Sequence, residues 1–124
     1  MVLIIGGAYQ GKLDFAKSIF DLNESDIFTC TGGKIDFSKR CIDHIEEFTL
    51  WCAQSGVDAV EFFRSCRERW QNSILICEDI SAGVVPMGAD MRAWRQMNGL
   101  LCRYLSGEAT QVSRLFCGLE ERLK

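Results

Sequence analysis

The sequence predicts an α/β fold in which helices cover both faces of a small, mainly parallel sheet. Two observations carry that expectation. Short apolar runs, VLII at residues 2–5 and SILIC at 73–77, read as short strands, the first buried on both faces. Between and after them the apolar residues recur at helical spacing, and strands separated by helices pair in parallel through right-handed crossovers. At 124 residues, 48% hydrophobic and 25% charged, the chain has the size and composition of one globular domain spanning residues 1–124.

The elements follow in order. The first strand, residues 2–5, stops at Gly6 and Gly7. From Lys12 the period changes, and Phe15, Ile19 and Leu22 mark one face of a helix that Asn23 ends. A second helical stretch follows Asp36 to Ser38, with Ile42, Ile45, Phe48 and Cys52 as its stripe and Gly56 as its stop. A third runs from about Asp58 to Trp70. The strand SILIC delivers Glu78 and Asp79 at its carboxyl end. The loop ISAGVVPMG, which holds the single proline, Pro86, leads to a helix whose face is Met91, Trp94, Met97, Leu101 and Leu105. That helix ends near Gly107, and QVSRLFCG, residues 111–118, is the last strand. Linker-like composition and internal repeats are absent from the sequence.

Composition excludes several classes. With 14 basic and 17 acidic residues the net charge is −3, and the pI is near 5.1, so no general basic field exists to hold nucleic acid or an anionic membrane. MVLIIGG has no basic lead and too short an apolar run for a signal peptide or a membrane span, which reads as a cytoplasmic protein. The seven cysteines are odd in number and none lies at C-x-x-C spacing, so they read as reduced, mostly packed thiols. The one histidine, His44, cannot complete a Cys/His metal cluster from neighbours in sequence.

One stretch points to chemistry. IIGGAYQGK joins the first strand to the first helix with the spacing G-x-x-x-x-G-K. Gly6, Gly7 and Gly11 let the chain curl so that amides from Gly6, Gly7, Ala8, Tyr9, Gln10, Gly11, Lys12 and Leu13 face a phosphate, and the helix start adds its positive dipole end. Lys12 supplies a full charge for the β and γ phosphates of ATP or GTP. Leu13 stands where such loops place the hydroxyl that ligates Mg²⁺, although Mg²⁺ commonly keeps several waters and a further water fills such a gap. The plain alternative is a glycine turn joining strand to helix, with Lys12 in solvent.

Glu78 and Asp79 sit where an open α/β sheet places ligands, at a strand's carboxyl end. Asp79 is the preferred catalytic carboxylate, holding Mg²⁺ or orienting an attacking hydroxyl. Arg92, Arg95 and Arg103 share one helix side, and Arg92 and Arg95, with Glu78, are candidate phosphate or substrate contacts, though solvated faces often look the same.

Beyond the loop, ICEDISAGVVP, MRAWRQMNGLLCRYL and VSRLFCGLEERLK resemble the adenosylcobinamide kinase / adenosylcobinamide-phosphate guanylyltransferase family of cobalamin biosynthesis. Asp79 takes the place of the family's loop acid, Gly83 and Pro86 match that loop, Arg92, Arg95 and Gly99 match its helix, and Gly118 and Lys124 match its end. The resemblance covers residues 1–20 and 73–124. It implies a P-loop NTPase-like three-layer α/β/α fold, often trimeric, that phosphorylates the aminopropanol hydroxyl of adenosylcobinamide with ATP or GTP and Mg²⁺. Departures are Leu13, Ser81 for a loop glycine, and Leu100 for the helix motif's second arginine. The middle is short: it lacks most of the family's histidine-bearing segment and a further strand ending in an acid, which argues against guanylyl transfer; His44 is the only histidine left to perform it, and the plain reading of His44 is a helical residue. A catalytically degenerate, nucleotide-binding or regulatory relative is the alternative.

Overall fold

The structure, a computed structural model, describes residues 1–80 and 88–124. In chain order its elements are β1 (Val2–Gly6), α1 (Lys12–Phe20), a 3-10 turn (Glu24–Asp26), β2 (Ile27–Thr29), β3 (Cys41–Asp43), α2 (Ile45–Ser55), α3 (Ala59–Ser65), α4 (Arg67–Trp70), β4 (Ile74–Glu78), α5 (Ala89–Glu108), β5 (Gln111–Phe116) and β6 (Leu119–Arg122). The strands form one sheet in the order β2, β3, β4, β1, β5, β6. Every neighbouring pair is parallel except the antiparallel hairpin of β5 and β6. The expected α/β class and mainly parallel sheet are therefore present.

Alternation along the central strands splits the core in two. Leu3, Ile42, Leu75, Cys77 and Val112 face one way and pack with residues of α2, α3 and α5, including Phe48, Cys52, Phe63, Leu101 and Leu105. Ile4, Cys41, Ile74, Ile76 and Leu115 face the other way, against Ala16 of α1 and Leu22. Each fully buried aliphatic side chain stabilises the fold by about 1.5–3 kcal/mol relative to exposure. On the larger side Trp70 is held by its indole N–H donating to the Phe63 carbonyl at 2.8 Å. All seven cysteines are free, with Cys30, Cys41, Cys52 and Cys77 buried. Among the described residues no helix is long and apolar enough to cross a membrane.

Several sequence expectations need correction. Ile42 lies on β3, not on the stripe of α2, because Cys41–Asp43 slots between β2 and β4 and is buried throughout. The stretch from Asp58 is two helices: Asp58 caps α3 by accepting from the amides of Val60 and Glu61, and non-helical backbone at Cys66 breaks it from α4. β2 and β6 were not expected at all; β2 has three residues, too few to show a period. Ile19 and Met91, expected on buried faces, are exposed. Ser81, Gly83 and Pro86, together with most of the loop that holds them, lie outside the described residues.

Candidate functional site

The crevice at the carboxyl ends of β1, β3 and β4 is where the chain gathers charge. β1 runs into the glycine loop through Gly6, where a Cβ would stand 2.7 Å from the Leu115 carbonyl oxygen, so no larger residue fits without moving the backbone of β5. The Asp79 amide donates to the Gly6 carbonyl at 2.8 Å, fastening the loop's start to the end of β4. Beyond it, Tyr9 (φ 60) and Gly11 (φ 85) are left-handed and turn the chain back into α1. Gln10 ties the loop to the hairpin turn: its carbonyl takes the Gly118 amide at 3.2 Å and its side-chain oxygen takes the Cys117 amide.

The loop's own donors are spare. Among the described residues nothing accepts from the amides of Gly7, Ala8, Tyr9, Gly11, Lys12 or Leu13. Lys12 folds over the loop and donates from Nζ to the Gly7 carbonyl at 2.6 Å, which leaves the ammonium two further N–H groups. Leu13, partly buried, packs against the core cluster that holds Ala16 of α1 and also borders the cavity beside the loop.

A cavity of about 600 Å³ opens beside this loop, lined by Ala8 to Asp14 and, from other elements, by Asp43, His44, Glu46 and Glu78. Asp43 ends β3, and His44 adopts a left-handed conformation (φ 57) before α2 begins. The His44 amide donates to the Asp43 carboxylate at 2.9 Å. Glu46, in the first turn of α2, is buried with both oxygens engaged: Oε1 accepts from the Glu78 amide at 2.8 Å and Oε2 from His44 Nδ1 at 2.7 Å. That pairing is what makes a buried carboxylate tolerable.

These groups shift one another. Burial pushes the Asp43 carboxyl up, and burial followed by the neighbouring Glu46 charge pushes Glu78 up. For His44 burial works against the charge, but the carboxylates of Asp43, Glu46 and Glu78 outweigh it and raise the imidazole above 6.5. The cavity thus holds two cationic groups, Lys12 and His44, against four carboxylates, Asp14, Asp43, Glu46 and Glu78.

A polar network behind the cavity fixes this arrangement. Asn98 of α5, buried, donates to the Glu78 carbonyl at 3.1 Å and accepts from Thr49 at 2.8 Å and the Cys77 thiol at 3.3 Å. Trp94 Nε1 donates to the Glu46 carbonyl at 2.9 Å. β4, α2 and α5 are therefore locked together directly beneath Glu46 and Glu78.

The sequence-read residues divide. Gly6 and Gly7 shape the loop's start, while Ala8, Tyr9, Gln10, Gly11, Lys12 and Leu13 line the cavity together with Glu78. Asp79, preferred over Glu78 from sequence, lines a second, smaller cavity of about 190 Å³ with Arg95, Asn98 and Cys102, and Arg92 is exposed on α5. His44 is not a plain helical residue: it precedes α2 in a left-handed conformation and, though half exposed, lines the cavity. β3 also supplies a strand ending in an acid, which the short middle of the sequence had been read as lacking. Asp43 and Glu46 were missed; the local signal was an acid on each side of the histidine in DHIEE. Compared with protein families and with curated proteins, the chain matches none.

Proposed function

We propose that the chain is a nucleotide-dependent kinase with a P-loop NTPase-like phosphate loop, in which ATP or GTP donates a phosphoryl group to an alcohol. The sequence resemblance makes adenosylcobinamide the acceptor to test first. One observation supports this reading most: the loop amides without acceptors among the described residues edge a roomy cavity, with the Lys12 ammonium above them. Oriented amides and a helix start favour an anion there.

The donor set also suits Mg²⁺. A triphosphate would meet four carboxylates, a repulsion that a divalent cation between them reverses. Among the described residues no three His, Cys, Asp or Glu side chains gather to hold a metal by themselves. Mg²⁺ in kinase sites fits that pattern, since one or two carboxylates and the phosphates hold it. Glu78 and Asp43 are the cavity carboxylates that would do so, with Asp79 one residue beyond. When bound, the ion supplies charge neutralisation for the transferring group.

The chain's own groups do the rest. Loop amides hold the phosphate oxygens, and Lys12 neutralises charge as the bond from the γ-phosphorus to the bridging oxygen breaks. The acceptor oxygen forms the new bond to phosphorus, and its proton passes to a cavity carboxylate that does not hold the ion. Single-turnover transfer from γ-labelled ATP or GTP to cobinamide tests the reading; phosphate release only to water, or none, refutes kinase action on this acceptor.

A second reading has its own support. Leu13 brings no hydroxyl to the loop and packs with the α1 core, as in a relative that binds nucleotide without turnover. Triphosphate binding measured by titration, with no transfer, would favour that relative.

A further inference from the structure

The hairpin of β5 and β6 ends the sheet with a strand whose outer edge is complementary to itself. Its two-residue turn, Cys117 (φ 52) and Gly118 (φ 77), is left-handed at both positions, so Phe116 and Leu119 close the hairpin as a hydrogen-bonded pair. Alternation then directs the main-chain groups of Leu119 and Glu121 toward β5 and those of Glu120 and Arg122 away from the sheet. The Leu123 amide donating to the Val112 carbonyl at 2.8 Å keeps this parity as far as Leu123; Lys124 then turns both its amide and its carbonyl to Val112, which ends the regular edge. β6 is the last strand in the sheet order and all four of its residues are exposed.

We propose that β6 pairs antiparallel with β6 of a second copy of this chain about a two-fold axis, continuing the sheet across a dimer. Edge parity allows three nearby registers: Glu120 opposite Glu120, Arg122 opposite Arg122, or Glu120 opposite Arg122. The first two set like charges face to face, which is destabilising across strands, while the third makes two Glu–Arg pairs. In that third register all the outward main-chain groups of Glu120 and Arg122 find partners.

The remaining side chains agree with it. Glu121 meets its own copy, but each Glu121 is already neutralised by Arg114 at 2.8 Å. Leu119 comes opposite Leu123, and these residues, with Phe116 beside them, are 73%, 53% and 69% exposed in the single chain. Glu120 uses Oε2 for the Ser113 hydroxyl and keeps Oε1, while Arg122 uses Nε for the Lys124 carbonyl and keeps both terminal nitrogens. Native edges are blunted by short length, proline, bulges and charge, lysine above all; β6 has no proline or lysine, and its charges carry both signs, so a second copy can neutralise them. A contact between identical patches closes on itself and yields a dimer rather than a fibre.

Sedimentation velocity of the 124-residue chain over about 5 to 200 μM tests this, because dimer formation follows mass action. The expected result is a monomer–dimer equilibrium. Glu120→Arg or Arg122→Glu alone turns both attractive pairs repulsive and raises the dimer dissociation constant about tenfold or more. Combining Glu120→Arg with Arg122→Glu restores opposite charges and recovers the dimer. Hydrogen exchange on the unaltered protein gives an independent reading: the Glu120 and Arg122 amides gain protection as concentration rises. A monomer throughout, a trimer, or a dimer whose Glu120 and Arg122 amides stay unprotected overturns the proposal.

Discussion

Asn98→Ala is the substitution whose cost follows most directly from the geometry. Alanine removes the amide donor that reaches the Glu78 carbonyl at 3.1 Å and leaves that carbonyl only the weak Cys77 thiol donor at 3.7 Å, a loss of about 1–3 kcal/mol in a part-buried position. It also removes the acceptor for Thr49 and Cys77, worth about 1 kcal/mol net, since Thr49 still has the Glu46 carbonyl at 2.9 Å to donate to. The sum is about 2–4 kcal/mol. At about 4 °C per kcal/mol for a domain of this size, the Tm falls by about 8–16 °C. Urea unfolding with an unchanged m-value is the assay, repeated for Thr49→Val and for the double variant. If Asn98 and Thr49 form one network, the double variant differs from the sum of the singles by about 0.5 kcal/mol or more. A loss below about 1 kcal/mol for Asn98→Ala, or strict additivity, would refute the reasoning that this network clamps α2 and α5 to the end of β4.

Other perturbations address the cavity. Lys12→Ala abolishes triphosphate binding in a calorimetric titration, and unchanged affinity counts against the loop as a phosphate cradle. Leu13→Thr supplies the absent hydroxyl, and if a hydrogen bond to a charged group sets the scale, about 1.5–3 kcal/mol, Mg²⁺-dependent turnover rises about ten- to a hundredfold; a variant no faster than its parent argues for the non-catalytic reading. Glu78→Gln lowers phosphoryl transfer more than Asp79→Asn, because Glu78 lines the cavity beside the loop; the reverse order in kcat would return the catalytic role to Asp79. His44 has a raised pKa in the folded chain, so its stabilising share is complete below about pH 6.5 and disappears as pH climbs through the folded value. Asp43 and Glu78, also raised, favour the folded state toward lower pH in the same sense. Thermal stability accordingly declines from about pH 6 to 8, and His44→Gln flattens that decline; a slope left intact in the variant assigns it elsewhere.

What was legible in the sequence was whatever has a local cause. The glycine loop is contiguous, and its turn residues announce themselves because Gly6 and Gly11 do what a side chain would prevent. β1 and β4 are buried on both faces, so each reads as an unbroken apolar run. α5 was legible along most of its length, yet its inward face includes Asn98, which stands on the apolar stripe by spacing, four residues after Trp94 and three before Leu101, but whose polar side chain hides that place until the Glu78 carbonyl is known to lie beneath it.

The second half of the cavity had no such signature, and the reason is its construction from short pieces. β3 is three residues long and exists because β2 and β4 flank it, so its Ile42 was absorbed into the helical spacing that follows. Glu46 looks like an ordinary acid in the first turn of a helix, where the dipole favours it. Only the strand order brings the Glu78 amide to one of its oxygens and the His44 ring to the other, 32 and 2 residues away in sequence. A buried carboxylate is affordable where such donors converge, and donors that converge from separate strands cannot be counted before the strands are placed. The choice between Glu78 and Asp79 turns on the same fact. Neighbours on a strand point to opposite faces, so one carboxylate opens toward the phosphate loop and the next toward α5, and which is which depends on the face that α1 covers.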